Sequence, residues 1–350
     1  MKKLFLSLAI LALAVAACQT NDEVTPNQEA AVDMSDFFVY TSDDLSAKST
    51  KESNNGDKCH SMQVLNRQLQ ENPGLEQRMY EIEKHTRTLI ANKGVVATGK
   101  PGGTTPPPTT PYVGAISIPV IVNIIEHPSH PVTQAHIDSQ IAILNQDFNN
   151  QNPKTTGVPG LFAGLVANVQ ITYTLAGVNK RLSTKTAWGT RDAMKSASKG
   201  GINATDPANN LNIWVCEIGG GILGYAQFPG GTLATDGVVI GSDYFGENTA
   251  GGVYGHGRTA THEVGHWLNL RHIWGDGGCS VDDYVLDTPT SDGPNYGCPT
   301  YPTVRCSSTD MTMNYMDYTY DDCMYMFSNG QNDRMRTIFA AGGSRESLVN

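Results

Sequence analysis

The stretch from His262 to His272, HEVGHWLNLRH, constrains the chain more than any other part of it. On a helix, residues four apart lie about 40° from one another around the axis, so His262 and His266 project from one face with Glu263 beside them. His272 follows His266 by six residues, which on a continuing helix is about 240° further round and aims the ring away. A third imidazole joins the first two only if the chain leaves the helix and reverses. Asn269 stands where that reversal must fall, and Asn is the side chain that, after Gly, best tolerates left-handed dihedrals. Two histidines and a carboxylate from one helix, with a third histidine returning to them, are the ligands and general base of a hydrolytic zinc centre: His262, His266 and His272 hold the ion, and Glu263 takes a proton from its water.

With Gly in place of Asn269, the stretch would spell the metzincin pattern H-E-x-x-H-x-x-G-x-x-H, and the chain resembles that group of zinc peptidases. Asn314-Tyr315-Met316-Asp317-Tyr318 resembles their Met-turn, which implies Met316 beneath the zinc ligands and Tyr318 presenting its phenol to the metal or oxyanion. Within the metzincins the chain is similar to the pappalysin (cytophagalysin-like) family, through HEVGHWLNLRH, NYMDY, YDDCMYMF and LGYAQFP, over most of Val113 to Met335. The resemblance implies an α/β (α+β) catalytic domain over 112–350: a twisted, mostly parallel sheet with an antiparallel edge strand and two long helices, then an irregular subdomain held by disulfides and metal. It implies that Leu223, Gly224 and Tyr225 lie on the edge strand above the cleft, whose free backbone groups pair with an extended substrate. It also implies structural calcium, with Asp283 and Thr288 the favoured ligands in the oxygen-rich loop SVDDYVLDTPTSDGP.

Upstream of this domain the chain carries other instructions. Lys2 and Lys3, an apolar run from Leu4 to Val15, and Ala16-Ala17-Cys18 form a signal peptide, and Val15 to Cys18 resembles the lipobox in which Cys18 becomes the acylated first residue. This places the protein in the cell envelope, exported and lipid-anchored at the outer membrane or surface of a diderm bacterium, touching the membrane only through that anchor. Residues 19–55 are polar and without period, a flexible tether. From Ser61 to Ile90 apolar residues recur at helical spacing with Pro73-Gly74 between, which predicts a small helical hairpin needing a partner surface. TGKPGGTTPPPTTP, residues 98–111, is an extended linker. Beyond it, strands are expected at Ile116–Ile125, Val169–Leu175, Leu211–Cys216 and Val238–Ile240. Helices are expected at Thr133–Asn149, at Thr259–Leu270 and from Ser328, where Ser328 and Gln331 have capping-box spacing, to Gly342-Gly343. A net charge of -10, without basic clusters, argues against nucleic-acid partners.

Cys279, Cys298, Cys306 and Cys323 suit an oxidising compartment; sequence permits three pairings, and the family pattern implies Cys279 with Cys306 and Cys298 with Cys323. Cys216 reads as a buried thiol. Cys59, just before the helical hairpin, is a candidate zinc blocker in a latent precursor, with a Cys59–Cys216 disulfide and Asp57 as rivals. By resemblance Asp322 matches the acidic floor of the S1′ pocket, with Asp321 the alternative inward residue; a carboxylate there favours Lys or Arg after the cut bond. The expected activity is thus zinc-dependent endopeptidase cleavage of proteins or peptides on the amino side of Arg or Lys, with self-processing before Arg87 or Lys100. The alternative is a surface binding or adhesion protein whose zinc is structural.

Overall fold

The computed structural model describes residues 32–40, 58–93 and 110–349. The signal peptide with Cys18, most of the tether, Asp57 and Lys100 lie outside the described residues. The helical hairpin forms as α1 (Ser61–Glu71) and α2 (Leu75–Ala91), broken at Gly74, whose φ of 84° lets the chain turn. The main body then runs β1 (Ile116–Glu126), α3 (Gln134–Phe148), β2 (Ile171–Leu182), β3 (Leu211–Cys216), β4 (Gly224–Ala226), β5 (Val238–Gly241) and α4 (Arg258–Trp267). Short strands β6 (Tyr296–Gly297), β7 (Val304–Arg305), β8 (Ser308–Thr309) and β9 (Tyr318–Thr319) and the final helix α5 (Asn329–Thr337) complete it.

One five-stranded sheet of order β2-β1-β3-β5-β4 organises the body; all neighbours are parallel except β4, which lies antiparallel on β5 at the edge. The near-continuous burial of β1 and β3 follows from their central places, where helices or loops cover both faces. Helix α3 starts at a capping box in which the Thr133 hydroxyl accepts from the His136 N–H and the His136 ring accepts from the Thr133 N–H. All ten residues of α4 are buried, so this helix is cased by protein on every side. Beneath it, the buried Asp147 of α3 accepts from Thr261 (2.8 Å) and Tyr315 (2.8 Å) and pairs with Arg258 (3.3 Å). One carboxylate thus ties both helices to the 314–317 turn.

Three sequence expectations change. Helix α4 ends at Trp267 rather than Leu270, because Leu268 has left helical dihedrals and Asn269 is left-handed. Helix α5 stops at Thr337, and the chain reaches Gly342 through turns. Residues Val32–Tyr40, assigned to a featureless tether, dock on the body. The Arg271 guanidinium donates to the Phe38 and Val39 carbonyls (2.9 and 3.2 Å), Arg87 pairs with Asp36, and Val39 joins an apolar cluster with Met62, Leu65, Leu69, Met79 and Phe228.

Candidate active site

The chain leaves α4 just past His266 and turns back at Asn269, whose φ is 76°. This brings the His272 ring to the other two: the three Nε2 atoms stand 3.1, 3.1 and 3.2 Å apart. Each ring is oriented from behind through Nδ1, by the Tyr315 carbonyl for His262 (2.7 Å), the Leu270 carbonyl for His266 (2.8 Å) and the Asp276 carboxylate for His272 (2.5 Å). An imidazole that donates from Nδ1 presents an Nε2 lone pair, so three lone pairs converge with no hydrogen among them. A cation between them makes that arrangement favourable, and three neutral imidazoles oriented by outer partners are zinc's preferred donor set. Burial, and then repulsion from His272, pushes His262 down to about 3, in keeping with a neutral His262 ring.

Two glycine-scale contacts hold the site tight. A Cβ at Gly265 would meet the Met316 sulfur at 2.4 Å, so this position must stay bare for Met316 to pack against the helix that carries the ligands. A Cβ at Gly224 would lie 2.9 Å from the Val239 carbonyl and 3.1 Å from both Glu263 Cγ and Thr259 Cγ2, so a glycine lets the edge strand press onto α4. Glu263 is 1% exposed, and burial pushes its carboxyl up to about 7.

The segment before α1 lies across this centre. Cys59 Sγ is 3.4 Å from Glu263 Oε2 and 3.5 Å from His266 Nε2, and its ligand atom and those of the three histidines all lie within 4.8 Å of one another. Ser61 Oγ donates to Glu263 (2.6 Å) and accepts from the Ala226 N–H (2.7 Å). The Lys58 carbonyl accepts from Leu223 (2.8 Å), the Gly224 carbonyl accepts from His60 (3.1 Å), and Cys59 bridges Gly224 in parallel. This segment therefore occupies the backbone groups of the edge strand. Tyr318 donates its phenol to the Cys59 carbonyl (3.2 Å).

A profile described as pregnancy-associated plasma protein-A, of the peptidase M43 family, matches residues 203–340. An extracellular metalloprotease of Arthroderma benhamiae is 35% identical over 226 residues, which are 60% of this chain and 68% of that protein. Extracellular metalloprotease 1 of Coccidioides posadasii is 40% identical over 177 residues, covering 46% and 61%. Mature mirolysin of Tannerella forsythia in complex with a cleaved peptide superposes with a TM-score of 0.65 at 42% identity, covering 68% of this chain and 96% of that one. The chain belongs to the pappalysin family of metallopeptidases. A promirolysin mutant from Tannerella forsythia superposes with a TM-score of 0.71 at 36% identity over 83% of this chain and 97% of that one, so the likeness to this pappalysin structure reaches further along the chain than the likeness to the mature form. The mixed, mostly parallel sheet expected of the family is present. As a pappalysin the protein is a metalloendopeptidase with zinc as its metal, and its curated relatives are named extracellular.

Not every sequence-predicted residue lies where expected. Asp322 is a correction: its side chain is 65% exposed and paired with Lys154, while Asp321 is 3% exposed and lines the cleft with His262, Glu263 and Tyr318. The 3₁₀ turn Asp321–Cys323 separates successive side chains by about 120°, and the unpaired N–H groups of His256 (2.9 Å) and Arg258 (3.1 Å), at the start of α4, take Asp321 as their acceptor. Burial pushes Asp321 up to about 6. Arg87 is also corrected: it sits inside α2, paired with Glu83 and Asp36, whereas cleavage needs an extended strand. Leu223, Gly224 and Tyr225 do lie on or beside the edge strand, although the Tyr225 side chain points away from the cleft to Asp192 and Met194. Disulfides join Cys279 to Cys306 and Cys298 to Cys323, and Cys216 and Cys59 are free thiols. Asp283 accepts from Thr288 (2.8 Å) and from the Val285 N–H (3.0 Å). Sequence reasoning missed Ser61 and Asp276; the i,i+4 spacing of His272 and Asp276 was a legible signal, whereas Ser61 had none.

Proposed function

We propose that the protein is made as a latent, lipid-anchored precursor and, once its pro-segment leaves, hydrolyses peptide bonds on the amino side of Lys or Arg. The observation that carries this reading is the cleft that holds His262, Glu263, Tyr318 and the buried Asp321 together. His262, His266 and His272 hold the zinc, which when bound supplies a Lewis acid that polarises a carbonyl and acidifies water. Glu263 takes the proton of the attacking water and returns it to the leaving amine, and burial holds its affinity for protons where both steps are feasible. Tyr318 steadies the oxyanion with its phenol. Leu223 and Gly224 pair with the extended substrate in place of Lys58 and His60. Asp321, fixed by two backbone N–H groups in a desolvated pocket, selects a cationic side chain.

Latency rests on Cys59, whose sulfur sits among the three imidazoles. With Cys59 in place the attacking water is excluded, and Ser61 occupies Glu263. Self-processing before Lys100 separates pro-segment from enzyme. Cys18 carries the lipid, and Asp283 with Thr288 are the proposed calcium ligands, since a divalent cation would balance a buried carboxylate whose partners are neutral donors. The alternative of a surface binding protein with structural zinc falls away with membership of this metallopeptidase family, and Glu263 agrees, because a structural site needs no base. Mass spectrometry of peptides released from a denatured proteome tests the proposal: Lys or Arg directly after the cut is expected, and apolar residues there would overturn it.

A further inference from the structure

Lys58 precedes the blocking thiol and reaches into the same cleft, which it lines together with Cys59, Tyr254, Asp321 and Tyr318. Its ammonium lies 3.7 Å from the centroid of the Tyr254 ring, 5.6 Å from that of Tyr320 and 5.7 Å from that of Tyr296. These rings come from three separate places: the loop before α4, the residue after β9, and β6, which pairs with β9. Tyr254 and Tyr320 meet edge to face at 5.4 Å, and Tyr296 and Tyr318 lie 6.1 Å apart, so each wall of the cage is braced by another ring. Ring faces are negative, and a half-buried cation within reach of several of them is held more firmly than one on a single exposed ring, with Tyr254 the main contact. Burial lowers the Lys58 pKa and the charge of Asp321 opposes that loss, so the cage carries an acidic partner as well.

We propose that Lys58 is a built-in substrate mimic, whose ammonium fills a cage of Tyr254, Tyr320 and Tyr296 that takes the alkylammonium or guanidinium of a substrate residue once the pro-segment has left. This rests on the basic specificity proposed above and adds to it both the subsite walls and the internal ligand. Chain direction supports the mimicry. The pro-segment runs parallel to β4 at Gly224, so its cationic side chain precedes the residue at the zinc ligands. A chain laid along the same edge in the opposite direction places in that cage the residue that follows. One cage thus serves an inhibitor that reads Lys-Cys and a substrate cut before Lys or Arg, while the reversed backbone gives the pro-segment no scissile bond in register. Latency then has two anchors in adjacent residues, a thiol at the metal ligands and a cation in the cage.

The test uses the full-length, zinc-loaded chain with Glu263→Gln, which prevents self-processing, and reads hydrogen–deuterium exchange over residues 58–71. Lys58→Met keeps the side chain's length and removes its charge; exchange there is expected to rise about tenfold while β1 and β3 stay unchanged. Lys58→Arg should match the parent and Tyr254→Phe should nearly do so, whereas Tyr254→Leu should reproduce the rise without adding to that of Lys58→Met. Unchanged exchange in Lys58→Met, or equal rises in Lys58→Met and Lys58→Arg, would overturn the role of the cation. In the processed enzyme, Tyr254→Leu should raise KM for Lys and Arg peptides with little change in kcat; an unaltered KM would show that substrates do not use the cage. A cleavage profile lacking basic residues would refute the specificity reading, and the exchange data would still decide whether Lys58 anchors the pro-segment.

Discussion

Glu83 of α2 offers the clearest separation between holding the pro-segment and building the enzyme. Its carboxylate is 2% exposed and pairs with Arg334 of α5, itself buried, and with Arg87. Removing one partner of a buried pair costs about 3–5 kcal/mol, since the other is left charged and unsolvated. Here the lower end applies, because Arg334 keeps the Asn269 carbonyl (2.8 Å) and the face of Tyr284. Once α2 lifts away, water reaches Arg334 and the penalty disappears, so Glu83→Ala burdens the latent form alone. A cost of about 3 kcal/mol corresponds to roughly a hundredfold larger population with α2 open. Hydrogen–deuterium exchange of Leu75–Ala91 in a Glu263→Gln background measures that population directly. A rise below about threefold, or a rise shared by β1 and β3, would refute the reasoning, the latter because it would signal loss of the whole fold. The same pair sets an acid limit. Burial alone would raise the Glu83 carboxyl, but Arg334 and then Arg87 outweigh it and leave it below its ordinary 4.5. A carboxyl depressed in the folded form contributes stability that is fully present above its unfolded value and is lost as pH falls through the depressed one. Exchange in α2 should therefore be flat at neutral pH and climb below about pH 4.5, and Glu83→Ala should abolish that climb.

Three further outcomes follow from the site. Glu263→Gln should bind zinc like the parent by atomic absorption yet lose about 10²–10⁴-fold in hydrolysis, whereas His272→Ala should lose the metal; comparable turnover in Glu263→Gln would sink the mechanism. Cys59→Ser should shorten the lag before self-processing of the precursor, and an unchanged lag would show that the thiol does not block the metal. Asp321→Asn should erase the preference for Lys and Arg after the cut bond while Asp322→Asn keeps it, and the reverse pattern in peptide libraries would return the pocket to Asp322.

The sequence made the metal centre legible because its requirements are local. Spacing alone places His262, Glu263 and His266, and the need for a reversal singles out Asn269, whose φ is 76°. The inner strands β1, β3 and β5 were readable for a similar reason, since a β-branched run buried on both faces has few other homes, whereas β2, expected to end at Leu175, runs on to Leu182 along an exposed edge that carries no such signal. What failed depended on partners distant in the chain. Choosing between Asp321 and Asp322 requires knowing that the free N–H groups of His256 and Arg258 lie beside that turn. Val32–Tyr40 lies in a polar stretch but is itself largely apolar (VDMSDFFVY), a signal the tether reading passed over, and it is held by Arg271 and Arg87, residues more than fifty positions away, through carbonyls that no side-chain pattern encodes. Lys58 reads as one lysine among many until three tyrosines from separate segments surround it.

The way the histidines are held also determines what activation requires. Their Nδ1 atoms lean on Tyr315, Leu270 and Asp276, all within the catalytic body, and none leans on the pro-segment. Met316 packs under α4 at Gly265, beside Leu270 of the catalytic body. The pro-segment instead touches the groups that the proposed function assigns to the substrate: the edge-strand amides, Glu263, the Tyr318 phenol and the proposed tyrosine cage. Its further anchors include Glu83 on Arg334, Arg67 on Asp192, and the Val32–Tyr40 strap on Arg271 and Tyr284. Latency in this architecture is a plug in a finished site rather than a distortion of an unfinished one. Activation then needs only departure of the pro-segment, with no rebuilding of the ligand set, so removing an anchor on the pro-segment side, such as Glu83 or Lys58, should raise the rate of opening and leave the turnover of the opened enzyme unchanged.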